Sequence, residues 1–355
     1  MAPAHLVAED LARALADGVR TAGQHWRVTR AWPADLADPT AGYVLELVGE
    51  DGRVRGAALA DGCVDLRADE ALPALAPLVE EGWTVLGHRL GKRAVLRRDN
   101  TGPYRKLATP KATKRASARA DAIARRLADA PEIPGPPVRV GLEIQRGYLD
   151  LAPAAGRSLR AVLADPATRL TDAELLGWRL GMMLARLARI RRASDPAAEE
   201  LPSHGLADEA DVVERWVTAA CLATPLSAPA ATRLRADADE VIAALRATRE
   251  VPGVLCHRDL HDGQVLVAAE QGLTVLDWDT AAWADPCLDA GNLLAHLDLL
   301  AEQQPAAAAR SAAAIDGVLA VLLAGHHPAA SDPARLALWR TASRVRITAV
   351  HAFRR

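Results

Sequence analysis

The sequence predicts an α+β protein whose sheet-forming segments come first and whose helices come second. Three observations carry this reading. Alternating or β-branched apolar runs, among them TAGYVLELVG, RVRGAALADG, WTVLGHRLGKRAVLRR and VRVGLEIQRGYLDL, all lie before residue 152. Apolar residues at helical spacing dominate from Leu159 onward. Between residues 254 and 292 the helical pattern gives way to VLCHRDLHDGQVLVAAEQGLTVLDWDTAAWADPCLDAGN, a dense run of chemically capable side chains.

A chain of 355 residues makes one large domain or two ordinary ones. With 45 acidic against 43 basic residues, the formal charge of -2 gives no polyelectrolyte signature, and 3% aromatic residues leave few platforms for stacking bases. Nucleic acid is therefore not an expected partner. Cys63, Cys221, Cys256 and Cys287 lie too far apart for a disulfide-rich scaffold or a CxxC metal site, and read as buried thiols. Glu9 and Asp10 precede any apolar run long enough for secretion, and no stretch approaches 18 continuous apolar residues. The expectation is a cytoplasmic protein without a membrane partner.

Taken in order, residues 3–15 form a short amphipathic helix ended by Gly18. Gly49-Glu50-Asp51-Gly52 supplies a turn between two strand-like runs, hence a hairpin. A Pro-punctuated helical stretch leads to Trp83, and nothing before it has a chemical motif. A strand, a Gly91-Lys92 turn and a second strand follow, then YRKLA. Thr109 as N-cap and Pro110 at the first helical position open a long helix with Ala116, Ala120, Ile123 and Leu127 on one face. Prolines from 131 to 137 break it, and two short strands lead to Gly156-Arg157-Ser158-Leu159 and a helix. Thr171 and Glu174 suit a capping box for the next helix, with Met182 and Met183 as core fillers. A polar linker over 194–208, with an isolated His204, separates this from two further helices. Residues 301–355 read as alanine-rich helices broken near His326-His327-Pro328, with three acids against seven arginines.

His257, Asp259 and His261 alternate after an apolar run, Gln264 follows, and a second apolar run ends at Asp277-Trp278-Asp279. In these residues the chain resembles the protein-kinase-like small-molecule phosphotransferases, the superfamily of aminoglycoside phosphotransferases and choline kinases. Their catalytic loop reads His-x-Asp-x-His-x-x-Asn, followed by a hydrophobic-Asp-Trp-Asp/Glu segment. The resemblance implies a two-lobe fold with a small mixed sheet lobe and a large, mainly helical C-terminal lobe. It divides the chain into an N-terminal extension or cap of the small lobe (1–80), a nucleotide-binding core (81–150) and a helical lobe with the catalytic loop and substrate site (151–355).

The same resemblance assigns roles. Asp259 is the catalytic carboxylate, placed to accept the proton of a substrate hydroxyl. Lys106 stands where the family's strand lysine meets the nucleotide phosphates. Gly87 and Gly91 are too sparse for a glycine-rich loop, so Lys92 or Arg93 assists there. The helix glutamate that pairs with the lysine is missing; Asp121 is the nearest acid, either its replacement or an ordinary solvated residue. Asp277 ligates magnesium, and Gln264 replaces the second metal-binding asparagine with a reach longer by about 1.5 Å. Asp279 ligates metal or stabilises the loop, His257 and His261 shape it, and Asp285, Asp289 and Asn292 fix the fold around it. An interlobe hinge falls near 149–153.

The implied cofactors are Mg2+ and ATP or GTP, and the implied partner is a small-molecule hydroxyl compound: an aminoglycoside, sugar, nucleoside or related metabolite. Either a monomer or a homodimer fits. The alternative is a kinase-fold binding or regulatory protein without transfer activity. The four lysines, Lys92, Lys106, Lys111 and Lys114, all fall within one 23-residue window, whereas every other basic residue is arginine. Lysine is a compact phosphate binder that arginine's fork does not reproduce. The arginine-rich tail is not the carboxylate-rich surface that a polycationic aminoglycoside favours.

Overall fold

Two five-stranded antiparallel sheets carry the first part of the chain in the computed structural model, which describes residues 4–21, 23–192, 201–268 and 272–354. Helix α1 (Ala4–Asp17) leads into the first sheet, β1 (Val19–Thr21), β2 (Gln24–Pro33), β3 (Tyr43–Gly49), β4 (Val54–Ala60) and β5 (Cys63–Asp65), paired in chain order. The 49–52 turn joins β3 and β4 with Val48 opposite Val54, as the turn residues predict. Helix α2 (Leu75–Glu80) precedes the second sheet. Its strands are β6 (Thr84–Arg89), β7 (Arg93–Arg97), β8 (Tyr104–Ala108), β9 (Arg139–Glu143) and β10 (Tyr148–Leu151), in spatial order β6-β7-β8-β10-β9. Between β8 and β9 runs α3 (Pro110–Leu127), capped by the Thr109 hydroxyl on the Ala112 amide at 3.3 Å.

The two sheets keep different company. Trp83, Leu96, Leu107 and Tyr148 of the second sheet close a small core with Leu72 and Leu78. Leu11, Trp26, Tyr43, Leu45 and Leu47 of the first segment instead join the large core of the helical portion. Tyr43 donates its hydroxyl to the Ala223 carbonyl at 2.5 Å. At its other edge the first sheet meets β6, where the Gly56 amide donates to His88 Nδ1 at 2.7 Å. Residues 19–65 thus bridge the second sheet and the helices. Cys63 on β5, expected as a buried thiol, is exposed, because β5 lies at the edge of its sheet.

The remainder is mainly helical: α4 (Leu159–Ala164), α5 (Leu170–Leu187), α6 (Leu206–Ala223), α7 (Ala228–Ala247), α8 (Leu288–Gln303), α9 (Ala308–Val321) and α10 (Pro333–His351). Part of the expected 194–208 linker, residues 194–200, lies outside the described residues. Two small sheets are set among the helices. One orders β11 (Arg157–Ser158), β14 (Val265–Ala268) and β15 (Gly272–Val275); the other orders β12 (Ser203–His204), β16 (Ala282–Ala284) and β13 (Val254–Cys256).

The capping box at α5 does not form. The helix starts at Leu170, so Thr171 already lies inside its first turn, and Arg169 at the cap pairs with Asp172 at 2.7 Å instead. Further along, α5 and α9 approach so closely that a Cβ at Gly177 would sit 2.0 Å from the Ala314 carbonyl oxygen, and one at Gly317 2.1 Å from that of Glu174. The stretch Pro305–His326 is apolar and long enough to cross a membrane by length and composition alone. Here it packs on α5, and Arg310 within it donates to the Leu163 carbonyl at 2.6 Å.

Candidate active site

The loop between β13 and β14 is held almost atom by atom. Asp289, in the first turn of α8, accepts the amides of His257 at 2.6 Å and Arg258 at 2.8 Å. Those two bonds sustain a left-handed φ of 68° at Arg258, a conformation that L-residues adopt only with support. One turn on, Asn292 donates to the Leu260 carbonyl at 2.9 Å and accepts from Arg346 of α10 at 2.7 Å. Arg346 also reaches Glu209 at 3.0 Å, whose other oxygen meets His204 at 2.8 Å. Burial opposes ionisation of Glu209, but Arg346 and then His204 outweigh it and hold the carboxyl at about 2. His204, isolated in the sequence, is thus the outer end of a buried chain of bonds that leads to the loop.

His257 is fully buried, packed edge-on against Trp278 with ring centroids 4.9 Å apart. Its Nε2 lies 2.7 Å from the Leu276 carbonyl and its Nδ1 3.3 Å from the Asp259 amide, contacts that the single neutral tautomer protonated on Nε2 satisfies. The Asp259 carboxylate, half-buried, takes no hydrogen bond from any described residue. His261 accepts the Gly263 amide at 3.0 Å and stacks on His296 at 4.8 Å. With Asp262 these two rings form a group whose ligand atoms lie within 4.8 Å of one another. The buried Asp262 carboxylate, however, already faces Arg160 Nε at 2.8 Å, and a guanidinium there opposes a second cation.

Gln264 pairs through its backbone with Leu276, whose amide it accepts at 2.8 Å, and so stands beside Asp277. Asp277 has a φ of 57°, the second left-handed non-glycine residue of the site. Lys106, from the middle of β8, places its ammonium 2.6 Å from Asp277 Oδ1 and 3.0 Å from Asp279 Oδ2. Burial alone would lower the lysine pKa; the two carboxylates raise it. Asp277 is the more acidic of the pair: burial raises it, but Lys106 pulls it well below the usual carboxylate range. Asp279 is raised, by burial and by its neighbour's charge, even against Lys106.

The expected helix partner of Lys106 is a correction. Asp121 pairs instead with Arg139 of β9 at 2.8 Å, and the α3 residues that line the slot beside Lys106 are Ala116 and Ala120. The residue that α3 sends inward is Arg119, which donates to the Asp279 carbonyl. Arg93 lies 3.8 Å from Asp277 Oδ2, while Lys92 stays exposed on the β6–β7 turn. Asp285 is buried against Arg335 of α10 at 2.5 Å, accepts the Cys287 amide at 2.9 Å, and takes the Cys256 thiol on its carbonyl at 3.3 Å, so it ties α10 to the strand that leads into the loop.

Two hollows share Lys106 and Asp277 in their walls. One, about 40 Å³, is an apolar slot walled by Ala116, Ala120, Pro137, Leu149 and Leu151; the other, about 170 Å³, opens between β6, β7, Arg30 and Asp279. The larger hollow of about 500 Å³ at Gln24, His25 and Glu50 lies at the far end of β2 and gathers no reactive constellation. Sequence reasoning missed Arg30, Arg119, Arg346 and His204, all of which come from elements without a local motif.

A profile of the phosphotransferase enzyme family matches residues 79–339. No curated protein matches the chain. Among solved structures, an aminoglycoside phosphotransferase from Streptomyces rimosus is 16% identical, with a TM-score of 0.50 over 78% of this chain and 96% of that one. A glucosamine kinase with glucosamine, ADP and inorganic phosphate is 19% identical, with a TM-score of 0.46 over 99% and 94%. A choline kinase from Streptococcus pneumoniae is 13% identical, with a TM-score of 0.47 over 79% and 90%. The Streptomyces likeness speaks for the fold alone, and the profile covers both the lysine strand and the aspartate-bearing loops. The chain belongs to the phosphotransferase enzyme family, within the kinase-like small-molecule phosphotransferases.

Proposed function

We propose that this chain transfers the γ-phosphoryl group of ATP or GTP to a hydroxyl of a small molecule. The observation that carries the reading is the Lys106 ammonium held between Asp277 and Asp279, beside a rigid loop that presents an unencumbered Asp259. A cation already fits between those carboxylates, and their hard oxygens suit magnesium. Asp277, with Asp279 or the Gln264 amide oxygen, would hold the ion, which when bound neutralises phosphate oxygens.

Lys106 then turns to the phosphates, with Arg93 and Lys92 adding charge from the turn, and the apolar slot receives the base against Leu149 and Leu151. Asp259 orients the acceptor hydroxyl and takes its proton as the new P–O bond forms. On this reading residues 81–150 are the nucleotide-binding core, 151–355 the lobe with the acceptor site, and 1–80 an extension of the small lobe.

Asp259→Ala tests it. The variant is expected to keep magnesium-dependent stabilisation by nucleotide in a thermal melt and to lose phosphate transfer to sugars, nucleosides and aminoglycosides. Normal turnover by this variant would sink the assignment.

A further inference from the structure

Strand β2 and the segment after α10 meet at a backbone bridge. Phe353, the only phenylalanine, is fully buried, with ring centroids 6.4 Å from Tyr43 and 6.0 Å from Trp216. Its carbonyl accepts the Ala31 amide at 3.0 Å, and the next residue, Arg354, forms an antiparallel bridge with Arg30 of β2. Residues directly opposed in such a bridge send their side chains to the same face, and like charges placed so repel. The backbone positions that carry two guanidiniums are thus held opposite each other by buried packing that neither side chain provides.

Neither has a strong counter-ion among the described residues. The nearest carboxylate oxygen to Arg30 is Glu46 Oε1 at 3.7 Å, and Glu46 already accepts from Thr29 and from the His88 amide at 3.0 Å each. The Arg354 guanidinium touches only the His351 ring, at 3.3 Å. Burial, then the nearby arginines, lower the affinity of that ring for a proton to about 4. Arg354 is exposed. Its own pKa is lowered by burial first, then by the field of Arg30, against the opposing charge of Asp259; Arg160 lowers it further. The favourable end of a helix dipole accounts for one arginine after α10, but not for Arg30 on a strand.

The pair also extends away from the phosphates. Arg30 borders the 170 Å³ hollow that holds Lys106 and Asp277, whereas Arg354 lies outside it, within the field of Asp259 and Arg160. We propose that Arg30 and Arg354 clamp an anionic group, a carboxylate or phosphate, carried by the acceptor. The substrate class is then a hydroxyl compound with a negative charge near the reacting hydroxyl, and not a polycation. This rests on the phosphotransferase reading above. The transfer is balanced as before: the acceptor oxygen bonds to the γ-phosphorus, the bond to the bridging oxygen of the departing nucleoside diphosphate breaks, and the hydroxyl proton passes to Asp259.

Inorganic phosphate, titrated into the full chain without nucleotide, is the first probe. A saturable rise in thermal midpoint is expected in wild type and in Lys106→Met, and is lost in Arg30→Gln and Arg354→Gln, with Arg354→Lys retaining part. No saturable rise in wild type, or a rise that survives Arg354→Gln and vanishes in Lys106→Met, overturns the clamp. The second probe is transfer from Mg-ATP to matched acceptors such as gluconate, glucose and glucosamine. Preference for the anionic member is expected, with its KM raised about tenfold or more by Arg354→Gln at similar kcat. A preference for glucosamine, or a kcat loss for every acceptor at unchanged KM, overturns the substrate class. Failure of Mg-ATP to stabilise any of these proteins counts against the kinase reading alone, because the phosphate titration needs neither nucleotide nor turnover.

Discussion

The loop between β13 and β14 and the β6–β7 turn, the two halves of the candidate site, are built in opposite ways. The loop's amides and carbonyls are tied to Asp289, Asn292 and Leu276 from behind, in a setting where most residues from 281 to 297 are buried. The turn carries Gly91, Lys92 and Arg93 exposed, anchored outside its own hairpin by the Gly91 amide on Asp69 at 2.8 Å. A carboxylate that must meet one hydroxyl needs fixed geometry, whereas charges that surround phosphates act over several ångströms and tolerate motion. Damage inside the block should therefore cost far more than damage on the turn.

Asp277→Asn gives the largest expected effect: kcat lower by roughly a thousandfold and the magnesium-dependent nucleotide shift lost. Lys92→Ala should change the nucleotide KM by less than about threefold, as an exposed charge does. Comparable losses in both variants would break the contrast between rigid loop and open turn.

Arg346→Met probes the same contrast from outside the cleft. Arg346 touches no reacting group, yet it holds Asn292 and through it the Leu260 carbonyl. Its removal leaves the buried Glu209 without its main counter-charge. The expected result is about 3 kcal/mol of lost stability and a kcat reduced about ten- to hundredfold, with nucleotide KM nearly unchanged. A loss of stability with no change in kcat would reduce Arg346 to scaffolding.

That dependence on remote residues also explains what the sequence made readable. Asp259, Asp277 and Lys106 stand out because chemistry fixes residue type and local spacing together. Asp289 and Asn292 are legible by the same token, one helical turn apart on α8. Arg30, Arg119, Arg346 and Arg354 are hidden because all but four of the 43 basic residues are arginines, so arginine carries no compositional signal. Their partners are chosen by how helices and strands cross. Asp121 stayed open between two readings because the rotation of α3 about its axis is set by packing Ala116 and Ala120 at the slot, which no acid on the helix records.

The support beneath the block should also be pH-sensitive. His327 is buried where α9 ends; its Nε2 lies 3.0 Å from the Pro286 carbonyl and its Nδ1 accepts the Ala329 amide at 3.0 Å. Burial lowers its pKa to about 4, and the Pro286 contact only partly opposes this. Because the folded value lies below the unfolded one, the unfolded state binds the proton first. The contribution is complete above about pH 6.5 and falls away as pH drops through that value toward 4, by at most about 3 kcal/mol. Glu209, depressed to about 2, acts in a separate window, below its unfolded value of 4.5. Urea midpoints taken from pH 7 to 4 should fall, and His327→Gln should flatten part of that slope; His351, also near 4, and His296, lowered by burial, keep the rest. An unaltered slope in His327→Gln would remove His327 from the account.

The smallest expected effect lies between the two halves, at Gln264. Its backbone bond to Leu276 fixes its Cα next to Asp277, so a side chain turned toward Asp277 would bring an amide oxygen to an ion held there. The extra methylene relative to asparagine moves that oxygen by about 1.5 Å, and magnesium commonly keeps several waters, so one can bridge a mismatch of that size. We expect Gln264→Asn to keep kcat within about threefold of wild type and Gln264→Ala to raise the magnesium concentration for half-maximal activity several-fold. Titrating magnesium at saturating nucleotide separates the outcomes. Ligation by Gln264 orders the three proteins with alanine alone displaced. Superimposable curves for all three leave the ion to Asp277, Asp279 and water, and place Gln264 with the open turn as a position where precise reach does not matter.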